Sequence, residues 1–161
     1  MSNILEKLLG KKVENVDPQS LEGYGKKVLV VEDNPPLLKL ICEVHLKPRG
    51  YTVISKYNGR DAWLELERGF TPDIIITDLM MPIMNGEELV KKIKSSKNQR
   101  IKDIPIIMLT GKDRDEDVFK GWQSGCFAYL TKPYNPHELF TFMKQAFRPV
   151  EDFEGETVYD L

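Results

Sequence analysis

The sequence predicts an α/β fold in which a parallel sheet of five strands is covered by helices on both faces. Two observations lead to this prediction. Short aliphatic runs alternate with longer amphipathic segments five times between residues 26 and 147. The aliphatic runs are largely continuous, which is typical of strands buried on both faces. An amphipathic segment after each strand supplies the helical crossover that parallel strands need.

The predicted elements follow one another in a regular order along the chain. The first strand is KKVLVV (Lys26–Val31), and the helix predicted over Pro35–Lys47 ends there because Pro48 cannot continue it. The other strands are predicted over 51–55 (YTVIS), 73–77 (DIIIT), 104–110 (IPIIMLT) and 126–131 (CFAYLT), and the other helices over 59–68, 85–97, 113–124 and 136–147.

Residues 26–148 therefore form the predicted domain, and a segment flanks it on each side. In the N-terminal extension (1–25), four apolar residues share one face of a short amphipathic helix: Ile4, Leu5, Leu8 and Leu9. Docking on the domain, pairing with a second copy and fraying all stay open for it. The segment 149–161 is acidic, and a docking peptide, a linker to an output domain beyond Leu161 and a disordered tail stay open.

Composition and charge argue against several classes of function. The formal net charge is -2, so a general attraction to nucleic acid or to a membrane surface is not expected. No apolar run is long enough to cross a bilayer, and the N-terminus lacks the pattern of an export signal. The two cysteines show no metal-ligand spacing and are predicted to be reduced core residues. We therefore expect a cytoplasmic protein.

Polar residues stand at the ends of four of the five predicted strands. The residues are Glu32, Asp33, Asp78, Thr110 and Lys132. Parallel sheets bind ligands at the carboxyl ends of their strands. We therefore expect these side chains to meet at one edge of the sheet.

A cluster of three carboxylates is suited to phosphoryl transfer. The carboxylates raise one another's pKa unless a cation is present, and Mg²⁺ suits a site of few carboxylates, waters and a phosphate. A carboxylate at such a metal can act as the nucleophile and form an acyl phosphate, while Lys132 and Thr110 hold phosphoryl oxygens. Asp78 is the best candidate for the nucleophile, because it is central and follows the most buried strand.

Four motifs, VLVVEDN, TDLMMPIMNG, PIIMLTG and YLTKP, closely resemble the receiver domain of bacterial two-component response regulators. The resemblance covers about residues 26–147. It implies a flavodoxin-like (CheY-like) three-layer sandwich with five helices and the strand order 2-1-3-4-5.

The resemblance also implies a phosphoacceptor and a metal site. Asp78 would accept the phosphoryl group, and Mg²⁺ would be the cofactor. Asp33 and Asp78 would bind the metal, Glu32 would assist through water, and the backbone carbonyl of Met80 would complete the protein's ligands.

Further residues acquire roles in binding the phosphoryl group and in switching. Thr110 and Lys132 would bind the phosphoryl oxygens, and the Lys132–Pro133 peptide bond would be cis, since only X–Pro bonds take that form readily. Tyr129 would be the aromatic switch residue, which turns inward as Thr110 moves toward the phosphate.

The function implied by the resemblance is a switch controlled by phosphorylation. A sensor histidine kinase or a histidine phosphotransfer protein would phosphorylate Asp78. A surface formed by the helix at 113–124, the fifth strand and the last helix would then bind a downstream protein effector. We expect no enzyme activity beyond its own phosphorylation and dephosphorylation, and no direct binding to nucleic acid or membrane. A homodimer stays open.

Three alternative functions share the fold or the nucleophilic aspartate. A phosphatase of the haloacid dehalogenase type would need a second aspartate two residues after Asp78, where Met80 stands. In a flavodoxin-type redox protein, the acids after the first strand would repel the flavin phosphate. An interaction module on the same fold that does not use phosphate stays open, supported by the apolar Phe127 and the two flanking segments.

Overall fold

A single parallel sheet organises the chain. The computed structural model describes residues 16–111 and 125–148, and its five strands lie in the order β2-β1-β3-β4-β5 with every neighbouring pair parallel. The predicted sheet and strand order are confirmed. The strands are β1 (Lys27–Val31), β2 (Thr52–Lys56), β3 (Ile74–Asp78), β4 (Ile106–Thr110) and β5 (Ala128–Thr131).

Helices cover both faces of the sheet. The described helices are α1 (Pro35–Lys39, continuing as a π-helix over Leu40–Leu46), α2 (Gly59–Glu67), α3 (Gly86–Lys94), the short α4 (Gln99–Lys102) and α5 (Pro136–Phe147). The predicted helix at 113–124, the N-terminal amphipathic face and the acidic segment 149–161 lie outside the described residues. No described helix is both long and apolar enough to cross a membrane.

The core consists of two clusters, one on each face of the sheet. Alternate strand residues point to opposite faces, so Val28 and Val30 of β1 pack with α1 and α5, whereas Leu29 and Val31 pack with α2 and α3. All five residues of β3 and of β4 are buried. The continuous aliphatic runs therefore serve both layers at once, as the sequence pattern predicted.

The first helix departs from the prediction. A regular helix was expected over Pro35–Lys47, but from Leu40 the backbone widens into a π-helix, and the N–H of Lys47 donates to the carbonyl of Cys42 five residues earlier. Pro48 then lies in a 3₁₀ turn that ends at Gly50, whose φ of 94° is left-handed. A π-helical segment shifts every following side chain around the helix axis relative to an α-helix.

Other element boundaries also differ from the prediction. The fourth strand begins at Ile106 and not at Ile104, because the N–H of Ile104 donates to Ile101 in the preceding turn. The third helix ends at Lys94, and a separate short helix, α4, occupies part of the segment before β4. Sequence periodicity missed α4 because four residues are too few to show a helical repeat.

Part of the N-terminal extension packs on the domain. Leu21 lies against Gly50, and the N–H of Gly23 donates to the carbonyl of Arg49. The Glu22 carboxylate pairs with Arg49 at 2.6 Å and with Lys144 at 3.4 Å. Residues 21–23 of the predicted extension therefore contact the domain.

The chain approaches itself very closely where α3 begins behind β3. The N–H of Gly86 donates to the carbonyl of Leu79 at 2.9 Å. A Cβ atom on Gly86 would lie 2.2 Å from the backbone oxygen of Asp78 and 2.9 Å from the Met108 sulfur. Only glycine lets α3 start this close to the end of β3.

Gly86→Ala should destabilise the fold by about 1–3 kcal/mol, because the added methyl group collides with the backbone and α3 must move away from β3. The measurement is the midpoint of urea denaturation. Gly111→Ala is the matched control, since a Cβ there meets no described atom within 4 Å. Equal midpoints for Gly86→Ala and the parent protein would contradict this account of the close approach.

Candidate functional site

The register of the sheet brings the ends of four strands to one edge. Asp78 pairs with Leu109, so β3 and β4 end side by side, and Thr110 pairs with Thr131 at the ends of β4 and β5. Val31 pairs with Thr77, which puts Glu32 and Asp33 next to the end of β3. The polar residues predicted to meet at the sheet edge therefore do so.

Three carboxylates converge at this edge. One oxygen from each of Glu32, Asp33 and Asp78 lies within 4.8 Å of the others. Glu32 is 1% exposed and Asp78 6% exposed, whereas Asp33 is open to solvent. The cluster thus has two buried acids and one acid at its mouth.

One ammonium group serves both buried acids. The Nζ of Lys132 lies 3.0 Å from Glu32 Oε2 and 3.1 Å from Asp78 Oδ1. The Lys132–Pro133 peptide bond is cis. Charge-assisted contacts of this length are among the stronger hydrogen bonds in proteins, so Lys132 joins the end of β5 to the ends of β1 and β3.

The ionisation of the two buried acids reflects this balance. Burial raises the pKa of Asp78 above its ordinary value; the Lys132 ammonium opposes that rise, and the charge of Asp33 adds to it. Burial likewise raises the pKa of Glu32, partly offset by its hydrogen bond to Lys132. Burial would lower the pKa of Lys132, but its contacts with the two acids outweigh burial and raise it. One lysine therefore compensates the buried negative charge only in part.

The donor set fits a hard divalent cation. Carboxylate oxygens are the preferred protein ligands of Mg²⁺, which usually keeps several waters and takes only a few protein ligands. A cation beside the acids would also remove the electrostatic penalty that raises the pKa of Asp78 and of Glu32. The predicted ligand Met80 follows β3 by two residues, and its side chain is 54% exposed at the rim of the site.

The Thr110 hydroxyl is buried without a hydrogen-bond partner among the described residues. Thr110 is 0% exposed at the end of β4. A buried hydroxyl with no partner costs about 1–3 kcal/mol. An unsatisfied donor at a cluster of acids is suited to a ligand oxygen that arrives later.

Tyr129 lies on the same face of the sheet as Thr110. Tyr129 pairs with Met108 and Thr131 pairs with Thr110, and residues two apart on a strand share a face. The half-buried Tyr129 ring packs against the core cluster between the sheet and the α2–α3 layer. Tyr129 and Thr110 therefore occupy neighbouring positions on this face, and a movement of Thr110 would take place next to the tyrosine.

Sequence reasoning missed one polar contact next to this site. The Nδ1 atom of His45 lies 2.8 Å from the hydroxyl of Tyr134, two residues after Lys132. The sequence places Tyr134 directly after the Lys132–Pro133 pair, but no periodicity shows that a π-helix aims His45 at it. The contact depends on the tertiary structure.

The fold, the acidic edge and Lys132 together form a site that is suited to accepting a phosphoryl group. The profile of the family described as "Response regulator receiver domain" matches residues 28–144. This chain belongs to that family. Receiver domains of the family act in two-component signalling, accept a phosphoryl group and generally bind Mg²⁺ at an acidic site.

Individual relatives agree with this assignment. The chain is 41% identical over 117 residues to the probable transcriptional regulator ycf29 of Pyropia yezoensis, covering 73% of this chain and 51% of that protein. It is 39% identical over 123 residues to hybrid signal transduction histidine kinase D of Dictyostelium discoideum, covering 75% of this chain and 8% of that protein. The chain spans about half the length of the ycf29 regulators it matches.

A solved receiver domain has the same architecture. It belongs to the sensor histidine kinase PA1611 of Pseudomonas aeruginosa, was solved with a magnesium ion coordinated in its active-site cleft, and is 30% identical to this chain. The TM-score is 0.66, with 75% of this chain and 96% of the other covered.

Thr110→Val should make the resting protein about 1 kcal/mol more stable, because valine keeps the shape of threonine and removes the unsatisfied hydroxyl. The free energy of unfolding in urea measures this. Thr77→Val is the control with the opposite sign, since the buried Thr77 hydroxyl donates to the carbonyl of Asp78 at 3.0 Å. A loss of stability in Thr110→Val as large as that in Thr77→Val would contradict the assignment.

Proposed function

We propose that this protein is a switch in which Asp78 accepts a phosphoryl group from a sensor histidine kinase or a histidine phosphotransfer protein. The observation that carries the proposal is the placement of Asp78. Its carboxylate lies between two other acids and a lysine, at the sheet edge where the buried Thr110 hydroxyl has no described partner. Lys132 and the Thr110 hydroxyl can bind the oxygens of a transferred phosphoryl group, whereas the three clustered acids repel one another.

The transfer exchanges one bond to phosphorus for another. An oxygen of the Asp78 carboxylate attacks phosphorus in line with the P–N bond of the donor's phosphohistidine. The P–N bond breaks, its electron pair stays on the imidazole nitrogen, and an acyl phosphate forms on Asp78. Such a reaction needs positioning and charge neutralisation more than covalent help from the protein.

The surrounding residues supply that positioning. Lys132 already lies 3.1 Å from Asp78 and would hold one phosphoryl oxygen, and Thr110 would donate its free hydroxyl to another. Glu32, Asp33, Asp78 and the Met80 carbonyl would hold Mg²⁺, which neutralises phosphoryl oxygens when it is bound.

The signal would leave the site through Thr110. A phosphoryl group adds negative charge and acceptor oxygens, which draw Thr110 and Lys132 toward Asp78. Tyr129 lies on the same face as Thr110 and would fill the space that Thr110 vacates. The surface over β5 and α5 would then favour a downstream protein effector.

The proposal also includes the domain boundaries, the output and the location of the protein. Residues 26–148 would act as the receiver, with 1–25 and 149–161 as flanking segments. The output would be a contact with another protein rather than direct binding of nucleic acid. The cytoplasmic location expected from the sequence belongs to it as well.

The direct test is to incubate the protein with Mg²⁺ and acetyl phosphate and to measure its intact mass. The parent protein should gain one phosphoryl group, and Asp78→Asn should gain none because an amide oxygen cannot form the acyl phosphate. Asp73→Asn is the matched control, since Asp73 caps the opposite end of β3 by accepting from the N–H of Lys27 at 2.7 Å. It should be phosphorylated like the parent, provided that it remains folded.

Two results would count against the proposal. One is a folded parent protein that shows no adduct with the donor and Mg²⁺ in excess. The other is an adduct that persists in Asp78→Asn, which would place the acceptor elsewhere.

A further inference from the structure

A histidine from α1 meets the loop that carries Lys132. His45 Nδ1 lies 2.8 Å from the Tyr134 hydroxyl, and the two rings meet edge to face with centroids 5.7 Å apart. Both residues are partly buried. The contact crosses 89 positions of sequence, so it fastens the first helical layer to the end of β5.

Packing fixes the imidazole ring in place. His45 also lies edge to face against Phe140 of α5, with centroids 6.3 Å apart. The Arg49 guanidinium lies 3.5 Å from the centre of the same Phe140 ring. The ring is thus held between α1 and α5 and can move little without disturbing both helices.

The loop links this contact to the phosphoacceptor site. Pro133 alone separates Tyr134 from Lys132, whose ammonium bridges Glu32 and Asp78. Lys132, Tyr134 and His45 line one groove of about 360 Å³. A shift of the Tyr134 ring would therefore be transmitted through one residue to the lysine.

The protonation state of the imidazole sets the direction of the hydrogen bond. Burial raises the pKa of Tyr134, so its hydroxyl stays protonated and can donate or accept. Burial lowers the pKa of His45, and the positive charge of Arg49 lowers it further. In the neutral tautomer that carries its proton on Nε2, Nδ1 accepts from the Tyr134 hydroxyl. The other titratable groups near the pair are Lys132, in the shared groove, and the Cys42 thiol and the Glu32 carboxylate near Tyr134.

We propose that the His45–Tyr134 hydrogen bond is a positioning contact that holds Lys132 in place for phosphoryl transfer, so that transfer depends on a neutral His45. The proposal rests on the proposed function of Asp78 and adds two residues outside the acidic cluster. A protonated imidazole cannot accept from the hydroxyl. Its Nδ1–H donates to the hydroxyl oxygen instead, so the hydrogen bond reverses and a positive charge enters the groove that Lys132 lines.

The first test does not depend on phosphorylation. The chain has two histidines, so His137→Gln leaves His45 as the single imidazole for NMR titration. In that background, Tyr134→Phe should shift the His45 midpoint, because the hydroxyl no longer forms a hydrogen bond with the imidazole. The backbone amide resonance of Lys132 should shift together with His45 in the parent and should not do so in Tyr134→Phe.

The second test measures the rate of phosphorylation by acetyl phosphate with Mg²⁺ between pH 5 and 8. Tyr134→Phe should react roughly two- to tenfold more slowly than the parent at pH 7.5, the factor that corresponds to one ordinary hydrogen bond. The parent should react more slowly as His45 becomes protonated, because the hydrogen bond reverses and a positive charge arises in the groove that Lys132 lines. His45→Asn offers an acceptor oxygen near the position of Nδ1 and does not titrate. It should therefore react at the parent's rate at pH 7.5 and should not show this dependence on pH.

Each contrary outcome has a defined meaning. Equal rates for Tyr134→Phe and the parent at every pH would overturn the proposal. A loss of rate that is the same at every pH would show a purely structural role and would overturn it as well. If the parent is not phosphorylated at all, the proposed function fails, and the Lys132 amide titration still decides whether the contact positions the lysine.

Discussion

The site depends on one constraint: two buried carboxylates share one ammonium group. Glu32 and Asp78 are almost fully buried and both lie about 3 Å from Lys132. Burial favours their neutral forms, and a single lysine only partly reverses this. Among the described residues, the resting site is therefore short of positive charge, and the buried Thr110 hydroxyl has no hydrogen-bond partner. Binding a cation and a phosphoryl oxygen would relieve both deficits.

The fold makes this arrangement possible by burying β3 and β4 on both faces. An acid at the end of such a strand is held rigidly and is shielded from water on most sides. The close approach at Gly86 lets α3 start directly behind Asp78 and closes the back of the site. Asp33 and Met80 remain at the open rim, where a donor protein would arrive.

The sequence predicted the sheet and its acidic edge well, because both depend on local patterns. Continuous aliphatic runs indicate doubly buried strands, and a parallel sheet aligns the residues that follow them, so Asp78 and Lys132 could be placed together before their distance was known. The π-helix at Leu40–Leu46 could not be predicted, because the spacing of the apolar residues in this segment fits an α-helix equally well. The His45–Tyr134 contact follows from the π-helix and from packing against Phe140, and pair contacts of this kind leave no periodic signal. The short helix α4 was missed for lack of length.

The most direct measurement of the central claim is the stability of the protein as a function of Mg²⁺ concentration. If the carboxylates form a cation site, the midpoint of urea denaturation at pH 7 should rise with Mg²⁺, since a ligand that binds only the folded state stabilises it by mass action. Sodium chloride at matched ionic strength controls for screening. Asp33→Asn, which removes the acid at the mouth, should lose most of the rise. A midpoint that ignores Mg²⁺, or a rise of the same size in Asp33→Asn, would contradict the account.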